Sequence, residues 1–115
     1  MRLDGIGLMV KNMAVMIQFY RDVLGFEIKE SEDTRNVYLI KDGTLFMMYE
    51  RDNFEKMTNR NYEYLRGING HFEIALYVDT FEEVDEKYRE IISKGGYSYI
   101  RPGHGALGTE NMLYC

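Results

Sequence analysis

The chain has 115 residues, a hydrophobic fraction of 45% and a formal net charge of −5. This length suits one domain, and the acidic balance argues against a surface for nucleic acid or anionic membranes. The longest apolar run, residues 6–10, is too short to span a bilayer or to form a signal peptide. Cys115 is the only cysteine and cannot form an internal disulfide. These features together predict a cytoplasmic protein.

The first module, residues 1–51, is predicted to contain a strand, a helix and three further strands. Asn12 can cap the helix and Gly25 can end it. Apolar residues recur between them at helical spacing. Asp42-Gly43 is a hairpin signal between the last two strands. The predicted strands cover residues 2–10, 26–30, 37–41 and 44–50.

The second half of the chain is predicted to hold a polar linker, residues 52–70, and an incomplete second module, residues 71–115. The linker is rich in tyrosine, with a helical turn expected around 62–65. In the second module Thr80 can cap a helix that Gly95-Gly96 would end. Further strands are expected over 97–101 and 110–114, joined by a glycine-rich loop over 102–108.

A sequence repeat connects the two modules. The segment 6–10 recurs as 74–78, and at the same offset Tyr20 matches Tyr88. Such self-similarity is typical of a duplicated supersecondary unit. It predicts one α+β domain of two βαβββ-type modules, whose curved mixed sheets surround a shared cleft. Both tyrosines are expected to be equivalent buried residues.

The second module is expected to lack its last strand, which would follow Cys115. An unpaired sheet edge is a template for association. The chain is therefore expected to form a homodimer, either by pairing strands or by exchanging whole modules, because closed two-fold symmetry is the commonest solution.

Three segments carry a resemblance to a known family: LDGIGLMV at 3–10, FYRDVLGF at 19–26 and IALYV at 74–78. They resemble the vicinal oxygen chelate superfamily, which includes glyoxalase I, bleomycin-resistance proteins and extradiol dioxygenases. The resemblance implies a fold of paired modules. It does not imply one reaction, because one scaffold can host many chemistries.

The same resemblance implies four metal-ligand positions. They fall on Gly5, on or near Met47, on Glu73 and on the strand expected after Cys115. Glycine offers no donor atom, and a thioether is a poor ligand for hard or borderline divalent metals. One competent donor cannot hold such an ion, so no metal cofactor is expected. A set of His71, Glu73 and His104 is an alternative metal site.

Glu73 is the candidate catalytic residue, as a general base, a lone metal donor or an anchor for a cationic ligand group. A solvated carboxylate is the alternative interpretation. The expected cleft wall is apolar and aromatic, as small-molecule pockets are. A filled core or an oligomer interface would have the same composition. The candidate pocket residues are Met9, Leu45, Met47, Tyr49, Ala75 and Tyr77.

The leading hypothesis is a protein that binds a small organic molecule in its cleft without a metal ion. The first alternative is a metal-dependent lyase, isomerase or dioxygenase. The second is a dimerising remnant that binds no ligand.

Overall fold

The computed structural model describes residues 1–67 and 73–98, and the backbone of 112–114. The fold is α+β, as predicted, and the chain forms two compact units, Met1–Glu63 and Tyr64–Cys115. The described elements are β1 (Gly5–Val10), α1 (Met13–Ile17) with a π-helical continuation (Gln18–Val23), β2 (Asn36–Lys41), β3 (Thr44–Glu50), α2 (Arg51–Thr58), β4 (Ala75–Tyr77), α3 (Phe81–Ser93) and β5 (Met112–Tyr114).

The first unit contains a mixed sheet in the order β1-β3-β2. Strand β1 runs parallel to β3, whereas β2 runs antiparallel to it. The hairpin between β2 and β3 turns at Asp42 and Gly43, with φ angles of 50° and 81°. Two successive positive φ angles match the right-handed twist of the flanking strands, and this confirms the predicted turn.

The first helix begins and ends where the sequence predicts. The side chain of Asn12 accepts a hydrogen bond of 3.2 Å from the backbone N–H of Val15, and Gly25 follows the helix with φ +76°. In its second half the helix widens, and the N–H of Leu24 donates to the carbonyl of Phe19. This i→i−5 spacing is that of a π-helix.

The core of the first unit lies between this helix and one face of the sheet. Tyr20 is at its centre and is 5% exposed. Its ring centroid lies 5.0 Å from that of Phe46, 5.2 Å from Phe26 and 5.4 Å from Phe19. The buried apolar residues of this unit are Val10, Met13, Ile17, Tyr20, Phe26, Ile28, Val37, Phe46 and Met48.

The prediction of a strand over residues 26–30 is wrong. Its backbone does not pair with β2; instead, the N–H of Phe26 donates to Tyr20 and the N–H of Ile28 donates to Phe26. The carboxylate of Glu30 accepts the N–H of Tyr38 at 3.4 Å. A side chain therefore occupies an edge donor of β2 that a neighbouring strand would otherwise use. The first strand is also shorter than predicted and begins at Gly5.

The segment expected to be a polar linker begins with a helix, α2. Its last carbonyls accept from Asn59, which takes the left-handed conformation with φ 52°. Asparagine tolerates this conformation and so can end a helix as glycine does. The helical turn expected around 62–65 is absent, because residues 60–66 have no helix or strand.

In the second unit β4 pairs antiparallel with β5. Helix α3 begins as predicted, since the hydroxyl of Thr80 accepts from the N–H of Glu83 and the Glu83 carboxylate accepts from the N–H of Asp79. Gly95 ends the helix with φ +89°. Tyr97 and Ser98 are not in a strand, and residues 68–72, 99–111 and 115 lie outside the described residues.

The prediction that Tyr20 and Tyr88 are equally buried is wrong. Tyr88 is partly exposed, and α3 buries Val84 instead. At the repeat offset, Phe19 and Phe26 of the first unit correspond to lysines 87 and 94. Both lysines form ion pairs with Glu90 at the surface of α3, at 2.8 and 2.7 Å. Tyr88 therefore lacks two of the three aromatic partners that surround Tyr20.

Candidate functional site

The face of the first sheet that points away from the core carries the candidate pocket residues of the first unit. Side chains alternate along each strand, so the register of Gly5 with Leu45, Gly7 with Met47 and Met9 with Tyr49 places all of them on one face. We call this surface the open face. Its members are Gly5, Gly7, Met9, Asn36, Tyr38, Ile40, Leu45, Met47 and Tyr49.

The open face is apolar and accessible. Ile40 is 68% exposed and Tyr38 is 46% exposed, while Met9, Leu45 and Met47 are partly exposed. Scattered apolar side chains are normal on a protein surface, but a contiguous apolar patch is typical of a binding surface.

Gly7 makes room for two side chains of β3. A Cβ atom at this position would lie 3.2 Å from Cε2 of Tyr49 and 3.8 Å from the methyl carbon of Met47. The Tyr49 ring and the Met47 side chain therefore occupy the space above the glycine. The hydroxyl of Tyr49 donates a hydrogen bond of 3.1 Å to the Met47 sulfur.

Tyr49 is also held by neighbouring rings. It makes an edge contact with Tyr38 at a centroid distance of 5.8 Å and a tilted contact with Phe54 of α2 at 5.3 Å. Burial, and after it the hydrogen bond with Tyr38, raises the pKa of Tyr49 above its ordinary value. The phenol therefore remains protonated, and remains a hydrogen-bond donor, at neutral pH.

Helix α2 lies at the end of the sheet where β1 and β3 finish. Nε of Arg51 donates to the carbonyl of Met9 at 3.2 Å, and the side-chain amide of Asn53 donates to that of Asn36 at 3.0 Å. These two hydrogen bonds connect the helix to β1 and β2, and the Tyr49–Phe54 contact connects it to β3. Because α2 was expected to be linker, sequence reasoning missed this wall.

The remaining candidate residues belong to the second unit. Ala75 and Tyr77 lie on one side of β4, and Tyr77 is 66% exposed. Glu73 precedes the strand in the same phase and is exposed, whereas Leu76 points the other way and is partly buried. The alternation agrees with the sequence pattern. Their part in a ligand site stays a prediction.

The residues at the implied metal positions of the first unit do not fit a divalent ion. A Cβ atom at Gly5 would lie 2.5 Å from the carbonyl oxygen of Leu45, so a donor side chain there requires the strand to move. The Met47 sulfur is a soft donor and already accepts the Tyr49 hydroxyl. This unit therefore offers no suitable donor at either position.

Within residues 1–67 and 73–98, no group of three or more His, Cys, Asp or Glu side chains is close enough to hold a metal ion. His71 and His104 of the alternative metal set lie outside the described residues. In the same ranges, no helix is long and apolar enough to cross a membrane.

Sequence reasoning also missed Tyr38 and Ile40. The sequence shows that Tyr38 and Ile40 are two residues apart, out of phase with Val37. That pattern alone did not show that β2 pairs with β3 and so extends the same face. The spacing Tyr38-x-Ile40, combined with the predicted hairpin, was the signal that could have found them.

The family model described as the Glyoxalase/Bleomycin resistance protein/Dioxygenase superfamily matches residues 2–111. A hypothetical protein from S. aureus has a similar structure, with a TM-score of 0.73 and 23% identity over 99% of this chain and 84% of that chain. A glyoxalase/bleomycin resistance protein/dioxygenase from Nocardioides gives a TM-score of 0.79 and 13% identity, over 100% and 76% of the two chains. At these identities the two structures share the fold alone. No curated protein matches the chain.

Proposed function

We propose that this chain, which belongs to the glyoxalase/bleomycin resistance protein/dioxygenase superfamily, binds a small organic molecule on the open face without a metal ion. The observation that carries the proposal is the accessible apolar surface formed by all three strands of the first sheet. Its side chains supply contact area, and Tyr49 supplies a polar group among them. Small-molecule sites commonly combine an apolar lining with a few placed polar groups.

The proposal of a metal-free site follows from the donors. Gly5 has no side chain and no room for one, and Met47 presents a thioether. Elemental analysis of the dialysed protein is expected to find no stoichiometric zinc, nickel, manganese or iron. Glu73→Ala is the matched variant, because Glu73 is the one competent donor at the implied positions. A stoichiometric metal content that this substitution abolishes would contradict the proposal.

For the second unit by itself we propose Glu73 as an anchor for a polar or cationic group of a small molecule, with Ala75 and Tyr77 as apolar contacts on the same strand. Support comes from the exposure of Glu73 and Tyr77 and from their shared phase along the strand. Glu73→Gln is expected to weaken a cationic ligand more than a neutral one, because the substitution removes charge and preserves shape.

The binding proposal can be tested by NMR on full-length protein labelled with ¹³C at the methionine methyl groups. A screen of small aromatic and aliphatic compounds is expected to shift the methyl signals of Met9 and Met47. Ile40→Ser should weaken each hit, because it removes an apolar contact from the open face. Val15→Ser is the matched control, since Val15 is 55% exposed on α1, outside that face.

Two outcomes would contradict the binding proposal. Equal loss of affinity in Ile40→Ser and Val15→Ser would show that the hits do not bind at the open face. Shifts of the Met9 and Met47 signals with protein concentration, and with no compound, would indicate that a second copy covers this surface instead.

A further inference from the structure

We propose that the open face selects uncharged apolar molecules that carry a carbonyl oxygen, and that the Tyr49 hydroxyl binds this oxygen. The inference rests on the proposed function and names the ligand class of the same site. A hydrogen-bond donor of the protein would hold the ligand oxygen in place. The residues of this surface do not fit a metal ion that could do so.

The present acceptor of the Tyr49 hydroxyl is a weak one. Tyr49 donates to the thioether of Met47 at 3.1 Å. A thioether sulfur is a weak acceptor, whereas a carbonyl oxygen is a strong one. A ligand carbonyl can therefore replace the sulfur with a net gain. The hydroxyl also has a hydrogen bond with Tyr38, and of its two bonds the one to the sulfur is the weaker, so that is the bond a ligand oxygen would replace.

Neighbouring residues fix the position of the Tyr49 hydroxyl before a ligand binds. The Tyr49 ring packs above Gly7, meets Tyr38 edge-on at 5.8 Å and contacts Phe54 at 5.3 Å. Three neighbours on three different elements hold the ring. A donor that is already ordered loses little conformational freedom when a ligand binds, so more of its hydrogen-bond energy contributes to affinity.

The open face does not suit a negatively charged ligand. The strand residues that form the open face include no Asp, Glu, Lys, Arg or His. A carboxylate placed there would lose hydration without meeting a cationic side chain of this face. A ketone, ester or amide loses less hydration energy, and one hydrogen bond from a phenol is enough to satisfy its carbonyl oxygen.

The test compares two probes that differ only in the acceptor. 2-Acetylnaphthalene has a C=O group where 2-isopropenylnaphthalene has C=CH₂, so the two share their shape. Each is titrated into the full-length protein, and the methyl signal of Met9, which every variant retains, reports binding. Tyr49→Phe removes the hydroxyl and keeps the ring. Tyr97→Phe, at a tyrosine that is 79% exposed in the second unit, is the matched control.

In the wild type the carbonyl probe is expected to bind about fivefold more tightly than its hydrocarbon counterpart, as expected for one net hydrogen bond. Tyr49→Phe should remove this preference and leave the affinity for 2-isopropenylnaphthalene within about twofold. Tyr97→Phe should retain the preference. Met47→Leu should retain it too, since the ligand oxygen and not the sulfur is the acceptor in the complex.

Each contrary outcome identifies what has failed. If both probes bind wild type and Tyr49→Phe with equal affinity, the role of Tyr49 is overturned and the proposed function stands. If Met47→Leu abolishes the preference while Tyr49→Phe retains it, the wrong residue was assigned. If neither probe binds and no other compound shifts the Met9 and Met47 signals, the inference and the proposed function both fail.

Discussion

Tyr20 and Tyr88 occupy equivalent positions of the sequence repeat, yet their replacement by alanine is expected to have very different effects. Tyr20 is 5% exposed, with ring centroids of three phenylalanines within 5.0 to 5.4 Å. Truncation of a buried aromatic residue to alanine costs about 3–5 kcal/mol. This cost already includes the lost ring contacts, each worth about 0.5–1.5 kcal/mol beyond the buried area, so three of them place Tyr20 above the lower end of that range. We therefore expect Tyr20→Ala to lower the free energy of unfolding by about 4 kcal/mol.

Tyr88→Ala should cost about half as much, roughly 2 kcal/mol, because part of the side chain is already in water and the lysines beside it pair with Glu90. Urea denaturation followed by far-ultraviolet circular dichroism measures both values. The midpoint for Tyr20→Ala should fall well below that for Tyr88→Ala. The protein has no tryptophan, so a backbone signal is the suitable probe.

A loss below about 1.5 kcal/mol for Tyr20→Ala would refute the central role of Tyr20 in the core, since even the smallest core truncations of this size cost more. Equal losses for the two variants would also refute it. That result would mean that burial and ring contacts do not distinguish the two positions.

Four further predictions concern other parts of the chain. Asn12→Ala should destabilise the protein by about 1 kcal/mol in urea, through loss of the helix cap; an unchanged midpoint would contradict the capping role. Two lysines lower the pKa of Glu90 to about 2, from an ordinary value of 4.5, so its stabilising contribution should be complete above about pH 4.5 and disappear as the pH falls towards 2. NMR titration should show the pKa of Glu90 rising in 1 M salt, because its ion pairs with the two lysines are exposed. A salt-independent value would argue against ion pairing. Gly5→Ala should cost about 1–3 kcal/mol by thermal or urea unfolding, because its Cβ would meet the Leu45 carbonyl; a neutral effect would show that the strand yields easily. The chain is expected to form a homodimer by pairing strands or by exchanging whole modules, and light scattering across a concentration series should show twice the monomer mass; a wild-type monomer at high micromolar concentration would exclude this.

Much of the fold followed from local chemistry. The caps at Asn12 and Thr80 and the Asp42-Gly43 turn all depend on side chains and φ angles within a few residues, so the sequence reveals them directly. The strands on either side of this turn, β2 and β3, were predictable from the alternation of apolar and polar residues along them.

The errors arose where distant contacts override local pattern. Phe26 and Ile28 alternate as a strand would, but they are buried in the core while Glu30 takes the edge N–H of Tyr38. Helix α2 is too polar to reveal itself by an apolar stripe. Its anchoring contacts, such as Asn53 with Asn36, depend on the pairing of β2 and β3. No short window of sequence contains that information.

The candidate site was predictable in part. Met9, Leu45, Met47 and Tyr49 lie on one face because strand alternation and the parallel register of β1 with β3 require it. The hydrogen bond from the Tyr49 hydroxyl to the Met47 sulfur was not predictable. It depends on side-chain rotamers and on the space above Gly7.

The close approach at Gly5 also has an evolutionary consequence. A protein that carries glycine there can let β1 and β3 settle together until the carbonyl of Leu45 occupies the space of the missing side chain. A histidine or glutamine introduced at this position would have to displace that carbonyl, so the gain of a donor atom and a loss of stability would come together. A compensating change elsewhere in the sheet would be needed for such a variant to fold as well as the present chain. The spacing of β1 and β3 thus limits which side chains position 5 can acquire.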